Sequence, residues 1–231
     1  SFLTKTVLKN LQDIEHKIFK SVHDPKKNLT PHKDKALRFF ELDLDKTKII
    51  ILGQDPYPQK GVATGRAFEL AYLHSWQDKL TSGNASFRNI IRALYAAYEG
   101  ERLKYSEIKE EISNNRFHIV PPDQLYDLWE QQGVMALNTS FSCKIGEPGS
   151  HSSVWESFTH QLLHYIVKMN KAALWLLWGK DAINYAEDLE TNKLEAYHPS
   201  RIFNREKDFL HVNHFSKTKN RINWTGFHPI K

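Results

Sequence analysis

The sequence holds a single cysteine, Cys143, among 231 residues. One cysteine cannot form an internal disulfide. It also excludes a four-cysteine cluster or zinc site. A reducing, intracellular setting follows, and the expected location is cytoplasmic. No apolar run is long enough to span a membrane, and the N-terminus has no signal-peptide pattern. No membrane partner is expected. There is no Gly/Ser-rich or Pro-rich tract, no repeat and no low-complexity block. Nothing therefore marks a linker, and residues 1–231 read as a single domain. At 40% hydrophobic residues the chain can bury one large core or two small ones.

Acidic residues are in the minority, and the formal net charge is +5. The imbalance is local. Residues 193–231 hold eight Lys/Arg against three Asp/Glu, a surplus equal to that of the whole chain. Phe203, Phe209, Phe215, Trp224 and Phe227 interleave with those charges. Such a surface suits phosphates, although a basic but inert surface has the same composition.

What is present begins with Gly53-Gln54-Asp55-Pro56-Tyr57. It follows Ile49-Ile50-Ile51-Leu52, which reads as a buried parallel strand. The strand delivers a carboxylate and an aromatic ring to its own C-terminal end. Pro56 fixes its own φ and keeps Asp55 out of helical conformation. Open α/β sheets bind ligands at the carboxyl ends of their strands, so an acid placed there is a candidate for chemistry. An ordinary Asp-Pro turn would look the same.

Three more apolar runs read as buried strands, at residues 134–137, 172–178 and 194–197, beside the first at 48–52. Each is followed by a residue suited to chemistry: Asn138, Gly179 and His198. Helical patterns separate the strands, so the connections can be crossovers and the strands parallel. Trp155, Phe158, Leu162, Leu163, Ile166 and Val167 form one helical stripe, with Ser153 and Glu156 as its capping box. Ser86 suits the cap of a helix through Ile90, Ile91 and Leu94. Leu8, Leu11, Ile14, Ile18 and Val22 mark an amphipathic N-terminal helix, and residues 184–189 fall in a short crossover. Parallel strands would gather Asp55, Asn138, Gly179 and His198 at one sheet edge. An amide reads a donor/acceptor edge, an imidazole steadies a developing anion, and a carboxylate orients water or steadies a cation. Singly, each residue also has a plain reading, Asn138 closing a turn and His198 a loop before Pro199.

The pattern resembles the uracil-DNA glycosylases that carry Gly-Gln-Asp-Pro-Tyr and His-Pro-Ser motifs. Gly65-Arg66-Ala67-Phe68, Leu137-Asn138, Leu176-Leu177-Trp178-Gly179, His198-Pro199-Ser200 and His214-Phe215-Ser216-Lys217-Thr218 follow in the family's order, so the resemblance spans residues 46–224. It implies a three-layer α/β/α sandwich around a small, mainly parallel central sheet. It implies hydrolysis of the bond between uracil and deoxyribose, with DNA as partner and no metal or cofactor; the expected state is a monomer, nucleoid-associated if the source is bacterial. Asp55 would orient water and steady the cationic sugar. His198 would hydrogen-bond the uracil O2 as charge builds there. Asn138 would read N3 and O4, Phe68 would stack on the base, and Tyr57 would fill the place of a thymine methyl. Gln54 would offer its backbone amide to O2. Ser86, Ser200 and the Gly179-Lys180 turn would touch the DNA backbone, with Arg201 and Ile202 beside the flipped nucleotide. The physical logic agrees: breaking an N-glycosidic bond makes a cationic sugar and an anionic base, and the base must leave the stack.

There are departures. Pro58 stands where the family usually has histidine. The poxvirus glycosylases are similar in this, and also around Ser142-Cys143-Lys144, Gly146-Glu147 and Ser150-His151. Thr81-Ser82-Gly83-Asn84-Ala85 replaces the family's proline-rich DNA-compressing loop. Arg201-Ile202 replaces Pro-Leu after the His-Pro-Ser motif, so the usual leucine wedge is missing. These changes touch DNA engagement rather than the bond-breaking pair. Two other readings keep the fold: a glycosylase for a modified pyrimidine, such as a hydroxymethylcytosine derivative in phage DNA, and a non-catalytic DNA-binding scaffold. An Asp-based phosphatase would need a second Asp where Tyr57 stands.

Overall fold

The computed structural model describes residues 2–20, 28–203 and 205–227. In chain order its elements are α1 (Lys5–Lys20), β1 (Leu29–Thr30), α2 (Lys33–Ala36), β2 (Ile49–Gly53), α3 (Ala85–Glu99), α4 (Tyr105–Ser113), α5 (Pro122–Gln131), β3 (Val134–Asn138), β4 (Cys143–Lys144), α6 (Ser152–Met169), β5 (Leu174–Trp178), α7 (Lys180–Tyr185), β6 (Asn192–Ala196), α8 (Phe209–Val212) and α9 (His214–Thr218). Among the described residues no helix is long and apolar enough to cross a membrane.

The four expected strands form one parallel sheet in the order β3-β2-β5-β6. β2 and β3 are buried along their whole length, which is why both read as unbroken apolar runs. β3 and β6 are the edges, and Asn192, Lys193 and Glu195 of β6 mix charge into that strand. Residues alternate between the two faces. Ile49, Ile51, Leu176 and Trp178 pack with Ile90 and Leu94 of α3, Trp129 of α5 and Phe215 of α9. Ile50, Leu52, Trp175 and Leu177 pack with Ile14 of α1, Phe158 and Leu162 of α6 and Ala182 of α7. The result is an α/β/α sandwich. From β2 the chain leaves toward β3, and from β5 it leaves toward β6 on the opposite side. That reversal opens a crevice at the C-terminal ends of β2 and β5.

Several local expectations are corrected. Ser86 lies inside the first turn of α3 and does not cap it. The turn before the helix is closed by Asn84 Oδ1, which accepts from the Thr81 N–H at 2.9 Å, the Thr81 hydroxyl at 2.7 Å and the Tyr72 hydroxyl at 2.6 Å. Ser153 and Glu156 form no capping box, because α6 starts two residues earlier, with His151 rather than Ser153 at its N-cap. On α1 the buried stripe runs through Val7, Ile14 and Ile18, whereas Leu8 faces solvent. Val22 lies outside the described residues.

One buried ion cluster braces the region after β2. The Arg66 guanidinium donates to Glu130 on α5 at 2.6 Å, to Asp127 at 2.6 Å and to Glu69 at 3.0 Å. The Ala67 N–H donates to the Ala136 carbonyl of β3 at 3.1 Å. Together they hold Phe68 at φ 69°, a left-handed conformation that a bulky residue adopts only under constraint.

Candidate active site

The crevice is built from strand ends. Asn138 closes β3 directly opposite Gly53 of β2. Beyond the strands the pairing continues, the Thr139 N–H donating to the Gly53 carbonyl at 3.0 Å and the Ser140 N–H to the Gln54 carbonyl at 2.9 Å. The Asp55-Pro56 turn is therefore fixed at its N-terminal end. The Thr30 hydroxyl adds a bond to the Tyr57 carbonyl at 3.0 Å, so the short β1–β4 ribbon buttresses the same turn.

Gly53 is required by proximity. A Cβ there would stand 2.8 Å from Asn138 Oδ1 and 3.1 Å from the Phe68 ring. Gly179 has a similar duty, at φ +111° and with the His198 Cβ and ring 3.1 Å from the place of its missing side chain. Phe68 sits with its ring centroid 5.2 Å from Trp178 and 5.8 Å from His198. Behind them, the Trp178 indole N–H donates to His214 Nδ1 at 3.1 Å, and His214 Nε2 meets the Glu195 carbonyl at 3.2 Å. An indole can only donate, so His214 carries its proton on Nε2 and is neutral. Burial pushes its pKa down to about 4.

Both carboxylate oxygens of Asp55 are shielded from solvent without a close hydrogen-bond partner. Burial pushes its pKa up to about 6, with Ser140 and the Gly149 N–H, at longer range, pulling the other way. His198 is fixed differently. The Ser200 backbone N–H donates to its Nδ1 at 3.3 Å, and the Ser200 hydroxyl lies 2.7 Å from the same nitrogen. A backbone N–H cannot accept, so Nδ1 is the acceptor and the ring proton is on Nε2. Burial, followed by the Arg201 charge, holds the imidazole below the ordinary histidine pKa. The ring is a neutral N–H donor.

Gln54, Asp55, Tyr57, Phe68, Asn138 and His198 all line one cavity of about 160 Å³. Drug-sized ligands occupy roughly 300–1,000 Å³, so this space suits one small ring. The Tyr57 hydroxyl is buried without a partner, and burial raises its pKa. Pro56, Pro58, Ser86 and Pro148 complete the wall. Ser86 is thus buried in the cavity wall rather than set on an open surface. Pro148 was not singled out in the sequence, and neither were Ser140 and Gly149. The β3–β2 pairing brings Ser140 back beside Gln54, and the Gly146 N–H bond to the Pro58 carbonyl at 2.9 Å brings the loop of Pro148 and Gly149 against the same turn.

A second cavity of about 450 Å³ adjoins the first and shares Gln54 and His198. Gly179, Lys180, Ser200 and Arg201 line it. Ile202 does not join them. It packs on the core and faces a groove with Arg92 and Arg102. A further cavity of about 240 Å³ lies beneath α1, lined by Leu11, Ile14, Leu29 and Trp155 among others. It gathers none of the residues that do acid, base or amide chemistry at the strand ends.

The uracil DNA glycosylase superfamily model matches residues 39–222. A uracil-DNA glycosylase of Fusobacterium nucleatum is 28% identical over 213 residues, covering 89% of this chain and 82% of that protein. Uracil-DNA glycosylase 1 of Listeria innocua is 32% identical over 210 residues, covering 85% and 83%. The crystal structure of mimivirus uracil-DNA glycosylase superposes with a TM-score of 0.63 at 20% identity, over 99% of this chain and 87% of that one, a likeness of fold. The match spans more than half the chain and includes both motif-bearing strand ends, Asp55 and His198. The chain belongs to the uracil DNA glycosylase superfamily.

Proposed function

We propose that this protein hydrolyses the N-glycosidic bond of uracil in DNA, the first step of base excision repair, after the base has flipped into the small cavity. One observation carries the reading: a shielded carboxylate, a neutral imidazole N–H donor, an amide and an aromatic ring line the same ring-sized space. When the C–N bond breaks, its electron pair leaves with the base. The His198 Nε2–H donates to the base oxygen that takes up this charge. A neutral donor suits this step, since the proton is shared without being given up. Ionised Asp55 faces the sugar cation and orients the water that adds to C1′. Asn138 hydrogen-bonds the base edge, Phe68 stacks on it, and the rigid Tyr57 ring takes the space of a thymine methyl. Lys180 and Ser200 in the adjoining cavity meet the DNA backbone, and Arg201 stands beside the extruded nucleotide. The chain acts as a monomeric single domain.

A base-release panel tests this. Duplexes carrying uracil, thymine, 5-hydroxymethylcytosine or glucosylated cytosine are incubated with wild type and with Asp55→Asn. The expected result is release of uracil alone, by wild type alone. Release of a bulky cytosine derivative would replace uracil as the substrate. DNA binding without any release would make the protein a scaffold.

A further inference from the structure

On the face of the molecule formed by α6 and α7, α6 carries His160 and His164. They are four residues apart and so share one face of the helix. Asp188 meets them from the turn between α7 and β6. One ligand-capable atom from each of the three lies within 4.8 Å of the others. His164 Nε2 is 3.2 Å from Asp188 Oδ2. Donors held at about 2.0–2.2 Å around a tetrahedral zinc ion stand roughly 3.3 Å apart. One separation already has that value, and the others need side-chain shifts of about 1.5 Å at most.

A plain ion pair explains His164 and Asp188. It does not explain the second imidazole. His160 is half-buried, and its ring lies against Tyr185 of α7 with centroids 5.1 Å apart and planes 26° from parallel. The stack keeps the ring beside the pair. Two imidazoles have no strong attraction for one another, whereas a shared cation attracts both.

The geometry points to a transition-metal site formed by His160, His164 and Asp188, taking Zn²⁺ or a similar borderline ion with solvent in the open position. Two imidazoles and one carboxylate suit zinc, nickel or cobalt and disfavour magnesium and calcium, which prefer oxygen. None of the three residues lines the base cavity. The ion would join α6 to the turn that follows α7. That helix begins at Lys180, just after Gly179, and both residues line the DNA-side cavity. The metal is a clamp on the position of α7 and takes no part in bond cleavage.

The test uses the full chain without a purification tag. ZnCl₂ is titrated calorimetrically into wild type, His164→Ala and Asp188→Asn, and MgCl₂ serves as the hard-ion control. His164 and Asp188 are exposed, so both variants should fold. Wild type should bind one equivalent of zinc with a Kd of roughly micromolar order. Each variant should bind at least about tenfold more weakly, and magnesium should give no heat. Zinc should also raise the unfolding temperature of wild type and not that of the variants. Cobalt should give the visible bands of a low-coordinate nitrogen and oxygen site in wild type alone. No binding below about 1 mM overturns the assignment. Equal affinity in wild type and both variants also overturns it, and would place the ion on others of the twelve histidines.

Discussion

At the scale of single residues, Asp55 sets function against stability. Its buried carboxylate has a pKa raised to about 6 from 3.8. A raised carboxylate pKa means that the folded state binds the proton more tightly than the unfolded state. The destabilisation is therefore absent below about pH 4, grows as pH rises, and is complete above about 6. Asp55→Asn should be more stable than wild type at pH 7 by about 1 to 2 kcal/mol after solvent screening, and equal to it near pH 4. Denaturant melts across that range check this. The same variant should lose about a thousandfold or more in base release while still binding DNA. In wild type, kcat/KM should rise with pH to a plateau above about 6, since the acid must be ionised. Arg201 is a second residue-scale question. It lines the DNA-side cavity, while Ile202 turns away to the core. We propose that Arg201 does the work of the missing leucine wedge, its guanidinium plane stacking in the gap left by the base, with a plain phosphate contact as the competing reading. Arg201→Ala should slow excision from duplex DNA ~10-fold more than from single strands, which have little stacking to replace. Equal losses on both, with a shallower salt dependence, would make it a phosphate contact.

At the scale of elements, the site depends on how closely β2 and β3 approach the 65–68 loop. Gly53 is the pivot, because Asn138 Oδ1, Ala67 Cβ and the Phe68 ring all crowd the place of its side chain. Gly53→Ala should cost about 1–3 kcal/mol of stability. It should also lower kcat, since Asn138 and Phe68 must both move off the base. Chemical denaturation and single-turnover release measure the two effects separately. Unchanged kcat with lowered stability would show that the cavity tolerates the shift. β2, β3 and β5 were legible, because a run buried on both faces has to be apolar, whereas β6 mixes Lys193 and Glu195 into an edge and begins at Asn192, two residues before the expected run. The helix starts were not. Ser86 and Ser153 have the right chemistry for caps, but competing bonds at Asn84 and an earlier turn at His151 decided where α3 and α6 begin. Leu8 looked like part of the buried stripe, and one residue of rotation gave that place to Val7.

At the scale of the whole molecule, one buried histidine ties the site to the sheet and to acid stability. His214 supports Trp178, which supports Phe68. Its pKa is lowered to about 4 from 6.5, so the unfolded chain takes up this proton first. Stability from this group is present above about pH 6.5 and is lost as pH falls toward 4. Its loss should reach about 3 kcal/mol at the acid end. His214→Gln should flatten that part of the stability–pH curve, as urea melts at several pH values would show, and an unchanged curve would exclude His214 as the cause. Over the whole chain, the sequence by itself determined the strand-forming runs, the residues that follow them and the motif order that marks the family. Those are local matters of hydrophobic pattern and residue type. Only the tertiary structure decided the strand order, which places Asn138 against Gly53 and brings Ser140 and Gly149 toward Asp55. It alone fixed the His198 proton on Nε2, raised the Asp55 pKa, sent Arg201 to the cavity and Ile202 to the core. Each of these depends on contacts between segments far apart in the chain, and on burial, which no single segment carries.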